Sequence, residues 1–428
     1  MNASRDHAVV LGGSVAGLLA AAALSRHYRR VTVLERDEDC AAMTPRRGVP
    51  QSAHVHVILG AGRKAIDGLL PGLFDALAAD GSVVADIGRD VRWHHWGGFK
   101  VAFFADYPMY LQSRPFLEGH IRRRVEAIDG VQLRYGTKGT PVHEGGRVVG
   151  VTTNDETIDA CLVIDATGRG SKCRAWLEDW GYAAPPEDAV TVNLAYASCF
   201  VTLPAPDVGA LLVYHQPPTM PRGGVLFPIE GDRYVVSLLG YHGDHPPTDE
   251  AEFRAYARSL LHPQLADQLD RATLLTPIKR FNYPKQRRLR YERVDLPRGF
   301  AVIGDAVCSF DPVFGQGMTV AGLTAAALDR HLAAHAFDGR RFQSEVAKCA
   351  DLPWMLATNE AFRYPQTEGT APWGGAVLRW FTGRVFAHSL HDEVVYRRFI
   401  DVLNLDRGPS ALMGPGVVAR VLRPLPER

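Results

Sequence analysis

Two glycine-bearing turns hold the residue types and spacings from which chemistry can be argued in this chain. The first is Val9-Val10-Leu11-Gly12-Gly13-Ser14-Val15-Ala16-Gly17. The apolar run before Gly12 suits a buried parallel strand, and the Ala/Leu-rich stretch from Leu18 to Leu24 suits a helix. A tight turn between them leaves the first helical N–H groups free and aims a partial positive charge at a pyrophosphate. Gly12 permits the turn and Gly17 lets the helix approach the strand. The pattern departs from GxGxxG at Ser14, a small residue whose hydroxyl can donate to phosphate. Val31-Thr32-Val33-Leu34 then closes a βαβ unit on Glu35, 18 residues after Gly17. A carboxylate there accepts from ribose hydroxyls and repels a 2′-phosphate. Gly13, Val15, Ala16 and Arg36 share this stretch and are expected to contact the same dinucleotide.

The second turn follows the apolar strand Phe300-Ala301-Val302-Ile303 and begins Gly304-Asp305. A carboxylate at the C-terminal end of a strand binds polyol hydroxyls, such as the ribityl chain of a flavin. The loop continues through Asp311 and Pro312 to Gly315-Gln316-Gly317-Met318, where a helix is expected to start. Its dipole would set positive potential where a reduced flavin carries negative charge. Gly315 and Gly317 let the backbone pass close to a flat ring. Taken alone, Asp305 also fits an ordinary βα turn. Taken together, the two turns read as the two ends of one FAD site.

The composition is that of a soluble globular enzyme. The chain has 428 residues, 46% hydrophobic and 22% charged, with a formal net charge of +1. Such a balance gives no whole-molecule attraction to nucleic acid or to an anionic membrane. No apolar run reaches the length of a membrane span and no signal peptide precedes the first strand, so the expected compartment is the cytoplasm. The six cysteines, Cys40, Cys161, Cys173, Cys199, Cys308 and Cys349, form no CxxC pair, and no metal site is expected.

These motifs need a particular set of elements to position them. The expected class is α/β, with a discontinuous Rossmann-type FAD-binding domain, a β-meander, an inserted β-sheet substrate domain and a C-terminal helical region. The cofactor domain is drawn from 1–89, 113–182 and 291–335, the substrate domain from 90–112 and 183–290, and a helical cap from 336–428. A helix covers roughly 61–79, broken near Pro71, and another runs from Pro115 to Ile128. Val131–Tyr135, Arg147–Val151 and Cys161–Ile164 read as the strands of the meander. Glu230-Gly231-Asp232-Arg233 reads as a hairpin turn.

With these features in place, the chain resembles the FAD-dependent monooxygenases of the p-hydroxybenzoate-hydroxylase fold over essentially its whole length. Gly12–Gly17 with Glu35 looks like the family's ADP fingerprint. Asp165-Ala166-Thr167-Gly168-Arg169-Gly170-Ser171 is similar to its middle motif, and Gly304-Asp305 with Pro312 and Gly315–Met318 to its third. The resemblance implies further FAD contacts at Arg46, Val49, Arg114 and Asp165. Arg47-Gly48-Val49-Pro50-Gln51 with His54 and His56, Ser113-Arg114-Pro115, and Val418–Arg423 look most like a branch of bacterial natural-product oxygenases that includes polyether epoxidases. What the family implies is that NADH or NADPH reduces FAD, O2 adds at flavin C4a to give a hydroperoxide, and one oxygen epoxidises or hydroxylates a lipophilic or polycyclic, polyketide-like metabolite. Epoxidation needs no protein base, so no catalytic residue is named. No second Rossmann unit for the nicotinamide is visible.

Aromatic residues of the inserted region, Trp93, Trp96, Phe103 and Phe227, with Phe314 of the third motif, are the candidates for an apolar substrate pocket. Ordinary sheet packing explains most of them equally well. Arg122-Arg123-Arg124 reads as a solvated helix face, and His54 and His56 as structural hydrogen bonders beside the flavin loop. The competing readings are an FAD-dependent reductase of the geranylgeranyl-reductase type and a flavin-binding protein without catalysis. A halogenase is disfavoured because Trp93-His94-His95-Trp96 does not match WxWxIP. The expected partners are a small-molecule substrate and O2, with the chain a monomer or homodimer.

Overall fold

In a computed structural model the described residues are all but 1–4, 39–42, 47, 205–208 and 426–428. Cys40 and Arg47 therefore lie outside them.

The cofactor half is built on a five-stranded parallel sheet. Its order is Phe300–Val302, Leu162–Asp165, His7–Leu11, Arg30–Leu34 and Val131–Arg134. Buried on both faces, these strands are continuous apolar runs rather than alternating ones. Leu11 pairs with both Asp165 and Leu34, so three strand ends sit side by side. The helix Val15–Leu24 is apolar all round, and every residue of it except Ala16 is buried. It packs against the helices Arg114–Glu126 and Gly317–Ala334. Full burial of Leu18, Leu19 and Leu24 contributes roughly 1.5–3 kcal/mol each.

The expected meander takes a different form. Its first and last strands belong to the parallel sheet, while the antiparallel unit is Thr140–Glu144, Arg147–Thr152 and Thr157–Asp159. The apolar run 161–164 pairs with His7–Leu11, because a strand buried on both faces needs a buried neighbour.

The second sheet is larger and mostly antiparallel. It runs Cys308–Ser309, Lys279–Leu289, Glu187–Thr202, Arg233–Gly240, Arg222–Ile229, Ala210–Val213 and Val91–His94. The hairpin at Glu230 forms as its turn residues require, with Gly231 and Asp232 at positive φ. Two helices in this region, Glu250–Arg258 and Gln264–Arg271, are absent from the sequence reading. They cover one face through Phe253, Tyr256, Leu265 and Leu269. The other face carries Tyr196, Tyr214, Tyr241 and Tyr283 toward the third motif. The helices Gly375–His388, Glu393–Leu403 and Pro415–Val421 close the end of the sheet near Trp93.

Candidate flavin site

The two glycine turns and the middle motif meet. A Cβ built on Gly12 would lie 2.7 Å from the Ala166 carbonyl oxygen, so the first and middle motifs are in contact. One built on Gly17 would fall 1.8 Å from the Gly12 carbonyl oxygen, which leaves no room for any side chain there. Gly304 has φ +66°, a left-handed conformation, and its Cβ would lie 3.0 Å from that of Ala16. Cβ atoms at Gly168 and Gly317 would each lie 3.9 Å from the Asp305 side chain. Backbone from four parts of the chain thus meets at the C-terminal edge of the parallel sheet, where ligands of open α/β folds bind.

At the phosphate end the dominant feature is a buried carboxylate ringed by guanidiniums. Glu118 Oε1 accepts from Arg46 Nη2 at 2.6 Å and Arg122 Nη2 at 2.8 Å, and Oε2 accepts from Arg114 Nη2 at 2.9 Å. Burial opposes its ionisation, but Arg114 and Arg46 outweigh burial and hold its carboxyl down at about 2. Ser14, the N-cap of the helix Val15–Leu24, uses its hydroxyl differently from the sequence reading. It donates to Glu118 Oε2 at 3.0 Å and accepts from Arg114 Nη2 at 3.0 Å. Arg122 corrects the sequence reading. It is buried rather than solvated, and its Nη2 donates to the Gly13 carbonyl at 2.9 Å. The signal was its spacing: Arg122 lies four residues after Glu118 and eight after Arg114, on one helix face.

Glu35 is tied into the same cluster. Its carboxylate accepts from Gly13 N at 2.9 Å and Asp37 N at 3.0 Å, and Arg46 Nη1 lies 3.2 Å away. An ionised carboxylate offers about four acceptor sites, so capacity remains for a ribose hydroxyl. Arg36 is peripheral, with Nη2 3.4 Å from the Gly48 carbonyl. Val49 is buried and lines a narrow cleft with Arg46, Ser52 and Arg114. Asp165 is fully buried, and both oxygens stay within its own turn, accepting from Thr167 N, Thr167 Oγ1 and Ser171 Oγ. It shapes the wall against which Gly12 packs.

At the other end, Asp305 makes no hydrogen bond to another described residue, and burial raises its pKa against the pull of Arg169, Arg114 and Arg287. Asp311 caps the turn Pro312–Phe314 through Val313 N at 3.0 Å. It also accepts from Tyr241 at 2.8 Å, with the Tyr196 hydroxyl 3.4 Å away, while Tyr214 donates to the Val313 carbonyl at 2.9 Å. Three strands of the large sheet therefore clamp this loop. Met318 is buried within the first turn of the helix Gly317–Ala334, and Phe314 is half-buried. His54 and His56 lie nearby. His54 Nδ1 is 2.7 Å from Ser198 Oγ, and His56 bonds the His54 carbonyl at 2.8 Å. Burial, with Arg114, holds His56 down at about 3, so it is neutral.

Whether these residues fit FAD is answered by the buried polar atoms they leave without partners. Arg122 Nη1, Ser52 Oγ and both amide atoms of Gln316 are buried and unbonded among the described residues. Such atoms cost roughly 1–3 kcal/mol each unless something binds them. The first two lie beside the helix N-terminus and Gln316 begins the second helix, at the two ends of the proposed dinucleotide. The residues fit the group.

Of the aromatic candidates, Phe314 lies in the third-motif loop and the other four are packed against neighbouring side chains. Trp93 is buried, stacked on His95 at 5.2 Å and against Phe399 of a C-terminal helix at 5.7 Å. Trp96 packs on Phe386, and Phe103 on Tyr396. Phe227 is enclosed by Ala85, Leu111 and Phe200. A surface depression along Arg92, Phe99 and His262 takes in none of the glycine-turn residues.

Residues 10–61 match the family model "NAD(P)-binding Rossmann-like domain". Protein Rv3254 of Mycobacterium tuberculosis is 32% identical over 98% of this chain and 94% of its own. Squalene monooxygenase 1,2 of Brassica napus is 25% identical, over 73% of this chain and 58% of its own. Among solved structures, p-nitrophenol 4-monooxygenase PnpA from Pseudomonas putida superposes with a TM-score of 0.67 at 20% identity, covering 93% of this chain and 98% of that one. The flavin-dependent brominase Bmp2 gives 0.67 at 17%, covering 93% of each. The chain belongs with Protein Rv3254 to one family, and its fold is that of the flavin-dependent monooxygenases.

Proposed function

We propose that this chain uses NADH or NADPH and O2 to place one oxygen atom on a lipophilic or polycyclic metabolite, by epoxidation or hydroxylation. In the overall balance, substrate, NAD(P)H, a proton and O2 give oxygenated substrate, NAD(P)+ and water. Bound FAD supplies hydride acceptance and oxygen activation; the protein supplies position and electrostatics.

The supporting observation is the convergence of Gly12, Ala16, Gly304 and Asp305 on one cleft. Arg46, Arg114 and Arg122 stand at the phosphate end, where Glu118, Glu35 and Asp37 hold their guanidiniums in place. Asp305 is free to accept ribityl hydroxyls. The helix Gly317–Ala334 directs its N-terminal dipole at negative charge developing on the ring. The tyrosines on Asp311 and Val313 fix the loop that carries this dipole, and the apolar residues of the sheet face exclude water. We read the segments 1–89, 113–182 and 291–335 as the cofactor half, 90–112 and 183–290 as the substrate half and 336–428 as the cap of a cytoplasmic enzyme.

The experiment is direct. Purified protein should be yellow and should oxidise NAD(P)H slowly alone and faster with a substrate drawn from apolar alkenes and phenols. Isotopically labelled O2 should leave one labelled atom in product. Anaerobic reduction of a substrate double bond without oxygen use would replace this reading with a reductase. A colourless protein that takes up no flavin would end both.

A further inference from the structure

Among the described residues the most exposed large apolar side chain is Trp373, with a relative exposure of 102%. It precedes the helix Gly375–His388, on which Val377 and Trp380 are also exposed. Val377 and Trp380, three residues apart, share one helix face, and Trp373 lies just before the N-cap Gly374. Arg384 continues that face and donates to the carbonyls of Val421 and Arg423. This brings in the C-terminal segment, where Leu422 and Leu425 are exposed as well. The opposite face of the helix is buried, with Val385 and Phe386 packed in the cluster that contains Trp93 and Phe399. The helix therefore presents a second apolar stripe to the outside, which a surface helix does not need for folding.

The charges around the stripe are one-sided. Arg379, Arg384 and Arg423 have no carboxylate partner among the described residues, whereas Arg420 is balanced by Asp392 at 3.1 Å and Arg363 by Glu360 at 2.7 Å. A second copy of the chain would bring the same patch against itself and set guanidinium against guanidinium. An anionic lipid surface meets both features at once: indole rings and leucines enter the headgroup boundary, and arginines face lipid phosphates. Among the described residues no helix is long and apolar enough to cross a membrane, so contact would be with the surface.

We infer that Trp373, Val377, Trp380, Leu422 and Leu425, with Arg384 and Arg423, form a peripheral docking face for anionic lipid. This goes beyond the proposed monooxygenase activity and does not depend on it.

The test uses the full chain with its flavin bound, sedimented with vesicles of phosphatidylcholine alone or of phosphatidylcholine with phosphatidylglycerol. Binding to the mixed vesicles, a blue shift in tryptophan emission and weak binding to the neutral ones are expected. Arg423→Ala should lower the partition about fivefold, from roughly one charge at the surface. The double variant Trp373→Ser with Trp380→Ser should lower it about tenfold or more. These side chains lie outside the flavin cleft, so flavin content and NAD(P)H oxidation in buffer should not change. If the wild type ignores anionic vesicles, the inference fails. It fails equally if sedimentation velocity shows a dimer that Trp373→Ser dissociates, because the face then belongs to a second copy. Loss of flavin in the wild type would overturn the proposed function and leave the vesicle result standing by itself.

Discussion

Gly304 and Ala16, from opposite ends of the chain, face each other so closely that a Cβ on the glycine would lie 3.0 Å from that of the alanine. The contact sits at φ +66°, so a side chain at 304 meets both strain and collision. Gly304→Val should fold with reduced stability and purify with little or no flavin, read by the visible spectrum and by flavin released on denaturation. Gly17→Ala should do the same with a greater loss of stability, since its Cβ would lie 1.8 Å from the Gly12 carbonyl oxygen. Retention of full flavin by Gly304→Val would place the dinucleotide elsewhere.

Glu118 neutralises part of a cluster that includes Arg46, Arg114 and Arg122. Removing it leaves buried guanidiniums uncompensated, and Glu118→Ala should cost about 3–5 kcal/mol in a urea unfolding measurement. Its acidity gives a second readout. The folded pKa is about 2, against about 4.3 for an unfolded glutamate, so the contribution is whole above about 4.3 and disappears as pH falls through about 2. Wild-type stability should therefore decline more steeply below about pH 4.3 than that of Glu118→Gln.

Asp311 works in the opposite sense. Burial pushes its carboxyl up to about 6, against the hydrogen bonds from Val313 N, Tyr241 and Tyr196. Between about 3.9 and about 6 the folded chain keeps a proton that the unfolded chain has lost, so ionisation of Asp311 subtracts stability as pH rises across that window. Asp311→Asn should flatten this part of the profile in urea midpoints. It should also alter the bound flavin spectrum if the tyrosine clamp sets the loop.

The first and third motifs were legible because glycine spacing and apolar strands announce them within ten to twenty residues. Arg122 was misread because a run of three arginines looks solvated, and only the helix face shared with Arg114 and Glu118 shows which one turns inward. The meander was misassigned because apolar runs declare burial but not their neighbour; 161–164 found His7–Leu11 across more than 150 residues. The helices Glu250–Arg258 and Gln264–Arg271 are hidden in the sequence by neighbouring prolines and charge, although their amphipathic faces pack on the sheet. Asp165 illustrates a different limit. A motif residue can act wholly on its own turn, and residue type alone does not tell that from contact with a ligand.

Trp93 carries a packing prediction beside its proposed place in a substrate pocket. With His95, Tyr214 and Phe399 around it, Trp93→Ala should cost about 3–5 kcal/mol through the cavity it leaves. Thermal unfolding with and without added flavin would measure this. A stable variant with altered substrate preference would instead return Trp93 to the pocket wall.

The edge strand Phe300–Val302 has a further bearing, on synthesis. Four strands of the parallel sheet have been synthesised by residue 165, well before the fifth, so a nascent chain can pair them early. The floor of the cleft, Asp305 and the helix behind it, emerges only after another hundred or more residues have been translated. The residues of the proposed flavin site are therefore all present only once the chain has been made through the helix Gly317–Ala334.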